Sequence, residues 1–135
     1  MVKYYMQYKE SVYPNDWFRI GDQELIRAKN LLELEDFIGA GFNIQQSIEK
    51  YLKGYLLSKV WKLKRIHDLE ILINEAILYE SSFEEFRTEC QKITEYYMED
   101  RYPFVISSDL SEDDISNSLK IAENIITRIK SLMKK

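Results

Sequence analysis

Cysteine is almost missing from this chain. Cys90 stands alone among 135 residues, so no disulfide within the chain is available. That usage fits a reducing, cytoplasmic address. Histidine is equally scarce. With only His67 and Cys90, a Cys/His zinc site cannot be assembled. A di-iron bundle, which needs Glu-x-x-His pairs on facing helices, is excluded for the same reason. Two prolines and four glycines leave little material for turns and favour long, regular elements. No apolar run approaches the roughly 20 residues of a membrane span. The opening Met1-Val2-Lys3-Tyr4-Tyr5 has no apolar signal core, so export is not expected. There is no phosphate-binding glycine loop and no serine elbow. Paired carboxylates occur only as Glu84-Glu85 and Glu112-Asp113-Asp114, where helix starts explain them.

What is present is helical periodicity. Asp16 is the expected cap of a first helix with Trp17, Ile20, Leu25, Ala28, Leu31 and Leu32 inward. Glu33 to Asp36 forms a turn, and Asp36 caps a second helix. Its stripe is Phe37, Gly41, Ile44, Ile48, Tyr51, Leu52, Tyr55 and Leu56. Gly39 and Gly41 cost that helix about 1 kcal/mol each against Ala and are expected to admit the first helix closely. Asp68 to Ile77 makes a shorter helix with Leu69, Leu72, Ile73 and Ala76 inward. Ser82-Phe83-Glu84-Glu85 has the pattern of a capping box, starting a helix through Phe86, Cys90, Ile93 and Tyr97. Tyr102-Pro103 ends it. Ser111 caps the last helix, which buries Ile115, Leu119, Ala122, Ile125, Ile126, Ile129 and Leu132. The fold class is therefore all-α: an up-and-down antiparallel bundle of four to five helices over residues 16–135, behind a partly ordered N-terminal arm, 1–15.

The net charge of −4 hides an uneven distribution. From Lys50 to His67 there is no acid, while Lys50, Lys53, Lys59, Lys62, Lys64 and Arg65 are basic. From Asp68 to Asp100 the acids dominate. Antiparallel tracing brings Lys53, Lys62, His67 and Arg101 toward one end of the bundle. His67, where the third helix begins, can donate to a phosphate or act as an acid–base group, or simply cap the helix. Asp68 is a favourable first-turn acid that can also orient the imidazole. Arg101 is either a C-terminal cation or a guanidinium fork for phosphate. Tyr102 and Trp61 can stack on a base or pack. Gln46, Glu49, Lys50 and Lys53 form the polar face of the second helix, with Glu49 and Lys53 spaced for an ordinary i, i+4 ion pair.

Taken in order, Gln45-Gln46-Ser47-Ile48-Glu49-Lys50-Tyr51-Leu52-Lys53, His67-Asp68-Leu69 and Arg101-Tyr102-Pro103 resemble the HEPN family (higher eukaryotes and prokaryotes nucleotide-binding). The similarity runs from about Asp16 into the last helix. It implies a helical bundle, usually a homodimer, often encoded beside a minimal nucleotidyltransferase, and the chain looks like that branch of the family. It also resembles the accessory bundle of aminoglycoside nucleotidyltransferases. The implied role is a nucleotide-binding, non-catalytic module, in a toxin–antitoxin-type pair. The implied site is Gln46, Glu49, Lys50, Lys53, Lys62, His67, Arg101 and Tyr102, with no metal and no cofactor beyond a bound mononucleotide. Other branches are metal-independent ribonucleases marked by an Arg, then four to six residues, then a His. Here the residues at those distances before His67 are Val60, Trp61 and Lys62, so a nuclease would have to pair His67 with Arg101 or Arg65 through space. An interaction bundle without a ligand is the third reading.

Overall fold

The computed structural model describes residues 11–59, 61–97 and 110–134. The arm residues 1–10, Arg101 and Tyr102 lie outside the described residues. Helices α1 (Pro14–Glu33), α2 (Phe37–Leu57), α3 (Leu69–Tyr79), α4 (Arg87–Ile93) and α5 (Glu112–Met133) form an all-α bundle. A 3₁₀ segment, Ser81–Phe86, precedes α4. No strand occurs among the described residues, and no helix among them is long and apolar enough to cross a membrane.

The bundle is organised around α2, which packs on α1, α3, α4 and α5. Its predicted stripe is its buried face: Ile44, Ile48, Tyr51, Leu52, Tyr55 and Leu56 are all withdrawn from water. Leu69, Leu72, Ile73 and Ala76 of α3 close one side, and Ile115, Ala122, Ile125, Ile126 and Ile129 of α5 another. Each large side chain buried this way contributes about 1.5–3 kcal/mol. Leu119 and Leu132 of α5 are only partly buried. Next to Leu119, Ser118 is buried instead, its hydroxyl 3.0 Å from the Tyr96 hydroxyl.

The helix boundaries show which local signals win. Asp36 caps α2 as expected, accepting from the Gly39 N–H at 2.9 Å. Ser111 and Asp114 form a reciprocal capping box at α5. Asp16 is not the cap of α1. That helix starts at Pro14, whose fixed φ and missing N–H suit a first helical position. Asp16 falls in the first turn and accepts from the Ser11 hydroxyl at 2.6 Å. The capping box expected at Ser82 does not form. The chain there tightens into the 3₁₀ segment, and Ser82 accepts from Arg128 of α5 through both its hydroxyl and its carbonyl oxygen.

The glycine expectation also needs correcting. Gly41 faces Tyr96 and Ile115, and Gly39 faces the capping Asp36 side chain, so neither admits α1. The close approach of α1 and α2 uses Gly21 and Gly54. Gly21 lies against the Tyr51 ring and the Ser47 carbonyl, and Gly54 against Phe18 and the Pro14 carbonyl. This antiparallel contact is pinned by the Ser47 hydroxyl donating to the Gly21 carbonyl at 2.8 Å and by the Tyr51 hydroxyl donating to Asp22. A side chain at Gly54 would start 2.5 Å from a Phe18 ring carbon that is itself stacked on Tyr51. Gly54→Val should therefore lower stability by about 2 kcal/mol in urea denaturation, the scale of core overpacking. An unchanged midpoint would refute the close-packed α1–α2 contact.

Candidate functional site around a buried carboxylate

Glu49 sits in the middle of α2 with its side chain wholly buried. An isolated buried carboxylate would be very costly, so its oxygens need partners. They have five. Oε2 accepts from Lys50 Nζ at 2.8 Å and Lys53 Nζ at 3.1 Å. Oε1 is 3.1 Å from His67 Nδ1 and accepts more weakly from Gln45 Nε2 and Gln46 Nε2 at 3.4 and 3.5 Å. Trp17 floors the cluster, its ring 5.9 Å from Lys50 Nζ and 5.5 Å from Lys53 Nζ.

Burial by itself would raise the Glu49 pKa. The His67 hydrogen bond and the adjacent Lys50 and Lys53 charges outweigh it and hold the carboxyl down at about 2. Burial lowers the Lys53 pKa, and Glu49 recovers only part of that. The expected solvated i, i+4 pair is thus corrected: Glu49 is 0% and Lys53 4% exposed, and the pair belongs to the core. Lys50 keeps 17% and His67 52% of their side chains in water.

The route to His67 also differs from expectation. The connection from α2 to α3 does not stay at one end of the bundle. It runs back along α2 until the His67 carbonyl accepts from Gln45 Nε2 at 2.7 Å. Glu49 lies eight residues before Leu57, so this retreat covers roughly 12 Å of helix axis. Lys53 and His67 meet at Glu49 in mid-helix, while Lys62 is exposed in the connection. Gln46 is half-buried and donates to the Gln45 side-chain oxygen at 2.7 Å. Asp68 does not orient the imidazole. It caps α3, accepting from the Glu70 N–H at 2.8 Å, and Glu49 holds the ring. Trp61 is packed partly into the core, with its N–H held by Glu75 at 2.9 Å.

Tyr97 is the partner that sequence reasoning assigned only to the core stripe. Its ring stacks on His67 at 5.0 Å and 13°. No motif marks it; only the packing of residues 95–97 against the connection brings it there.

Chemically, both Glu49 oxygens are occupied and the group is held ionised, so it cannot serve as a proton acceptor near neutral pH. Because an ionised carboxylate only accepts, His67 Nδ1 carries a proton. Nε2 of the neutral ring is then a base, and that of the charged ring a donor.

A family model described as the HEPN domain matches residues 14–132. Comparison with curated proteins and with solved structures finds no match to this chain.

Glu49→Gln should lower stability at pH 7 by about 3 kcal/mol, since it strips the buried Lys53 of its counter-charge. Glu49 has a lower pKa folded than unfolded, so its contribution is complete above pH 4.5 and fades as pH falls toward 2. The gap between wild type and variant, measured by urea denaturation, should therefore close across that window. A constant gap would show that Glu49 ionisation does not support the fold.

Proposed function

The chain belongs to the HEPN domain family, and from that premise we propose that it is a nucleotide-binding module rather than an enzyme. The observation that carries this reading is the charge balance at Glu49. One carboxylate faces two ammonium groups, which leaves excess positive charge in a largely dry cluster beside a half-exposed imidazole. Among the described residues no second acid is paired with these lysines. An anion arriving from solvent would be attracted there although the whole chain is acidic. Phosphate meets His67 and the edge of Lys50, while Glu49 holds both from behind and Lys53 adds positive charge. Gln46 is half-buried beside them, and Lys62 adds general attraction from the exposed connection. Arg101 lies four residues along the chain from Tyr97, a tether of at most roughly 14 Å. It is the cation expected to complete the phosphate contact, with Tyr102 beside it.

The test is a calorimetric titration with AMP. Wild type should bind, more weakly as salt rises. His67→Ala and Arg101→Ala should each lose about tenfold in affinity, on the scale of one charge-assisted hydrogen bond of ~1.5–3 kcal/mol. Lys62→Ala should lose less. Equal affinity across these proteins would remove the site. A second reading, a metal-independent ribonuclease, is favoured by the carboxylate–imidazole pair, which is how a general base is oriented. Single-stranded RNA incubated without metal distinguishes it: cleavage by wild type that disappears in His67→Ala would put that reading first.

The partner reading follows the family resemblance: a cytoplasmic homodimer that works with a minimal nucleotidyltransferase in a toxin–antitoxin-type pair. The apolar outer face of α3, where Ile71, Leu78 and Tyr79 are exposed, supports association. Light scattering at micromolar concentration should give twice the chain mass, and a monomer there would refute the dimer.

A further inference from the structure

We infer that the open face of the His67 ring is a stacking platform for a nucleobase. The ligand is then a nucleotide recognised through its base as well as its phosphate. The inference deepens the nucleotide-binding reading and rests on it.

Tyr97 contacts two other rings. Phe42 and Tyr97 are 5.8 Å apart at 31°, and Tyr97 and His67 are 5.0 Å apart at 13°. Tyr97 covers one face of the imidazole. Glu49 holds the Nδ1 edge at 3.1 Å, and the backbone of the same residue is tied by its carbonyl to Gln45 at 2.7 Å. Yet 52% of the side chain is in water. Among the described residues only Tyr97 stacks on the ring and only Glu49 bonds its side chain, so the second face and the edge carrying Nε2 are the parts they leave open. A surface histidine needs none of these restraints. This one is flat, fixed and open on one side, so little side-chain entropy is lost when a second ring lies on it.

A nucleobase is the biological ligand with the matching shape. Every base has a π-face, and stacking on a protein ring tolerates all of them. The remainder of the nucleotide matches as well. Lys50 is bonded to the opposite oxygen of the carboxylate that holds His67. A base on the imidazole therefore leaves its phosphate on the positive side of the same cluster. Trp61, the other aromatic of the connection, is unsuited: its N–H is engaged by Glu75 and its ring packs on the core.

The experiment begins with the wild-type protein and one NMR signal. His67 is the only histidine, so its Cε1 proton is identified without variants. At fixed pH, AMP should move that signal upfield through the ring current of the stacked adenine. Ribose 5-phosphate, which lacks the base, should not. Calorimetry should show AMP binding about tenfold tighter than ribose 5-phosphate, the scale of one base–aromatic stack. His67→Phe should keep most of that ratio and His67→Ala should lose it. Equal affinity for the two ligands with no upfield shift would overturn the stacking platform and leave a phosphate site. Failure of both to bind would overturn the nucleotide-binding reading, and the platform with it.

Discussion

A carboxylate placed in the middle of a buried helix face governs the rest of this structure. Glu49 has no water to solvate it, so the protein must bring the donors, and they come from separate parts of the chain. Gln45, Gln46, Lys50 and Lys53 come from its own helix, and His67 from the connection that follows. Removing one member of such a cluster leaves the others buried and unpaired, which costs about 3–5 kcal/mol. The connection to α3 has no regular hydrogen-bond ladder, yet it cannot leave α2 without exposing that debt. Its position is fixed at one end by His67 against Gln45 and Glu49, and further back by Trp61 and Lys64 against Glu75. The start of α3 is then tied to the end of α4, where the Leu69 N–H donates to the Thr94 hydroxyl at 3.0 Å. One buried charge thus sets the register of three elements.

The same arrangement separates two jobs that a surface cluster would mix. Glu49 and Lys53 are out of reach of a ligand and act by orientation and field. His67 and the edge of Lys50 face the water and can touch one. Packing against Trp17 keeps both ammonium groups over an aromatic face, an arrangement that favours cations in a poorly hydrated place. The local charge is positive on a chain whose net charge is −4, because the stretch from Lys50 to His67 carries six basic residues and no acid.

Much of the fold was legible, because burying a stripe leaves a period in the sequence. The inward face of α3 and most of the apolar stripe of α2 match their predicted residues, though α2 also buries Glu49 and Lys53 from its expected polar face, and Asp36 and Ser111 cap where their short polar side chains suggest. The misreadings have physical causes. Pro14 can begin a helix as well as Asp16 can cap one, and the local pattern does not rank them. Ser82 meets Arg128 across the bundle, a contact with no local trace. Gly21 and Gly54 matter because of what lies opposite them in space, which spacing along one helix does not reveal. The site was half legible. The right residues on α2 and His67 stood out, but an i, i+4 Glu–Lys pair looks the same on a surface and in a core. What separates them is the donor set, and that depends on how an irregular connection folds back. The stacking of Tyr97 on His67 was invisible for the same reason.

The proposed binding reading and the cleavage reading ask different things of the cluster around Glu49. Cutting RNA without a metal needs a base on the attacking hydroxyl and a second group that stabilises the charge growing on the phosphate and leaving oxygen. His67 can fill the first role, since Glu49 fixes its tautomer and leaves Nε2 as the base. The second role needs a donor whose interaction strengthens in the transition state. Lys53 is shut inside the bundle, and Lys50 shares its charge with Glu49 and donates to Gln46 at 3.2 Å. Cations already committed to a carboxylate hold a ground-state phosphate and a transition state with similar force. Uniform attraction of that kind adds affinity and little rate. Of the two roles, the cluster around Glu49 itself supplies the first, an oriented imidazole, and the second would fall to Arg65 or Arg101, the guanidinium groups a nuclease would pair with His67.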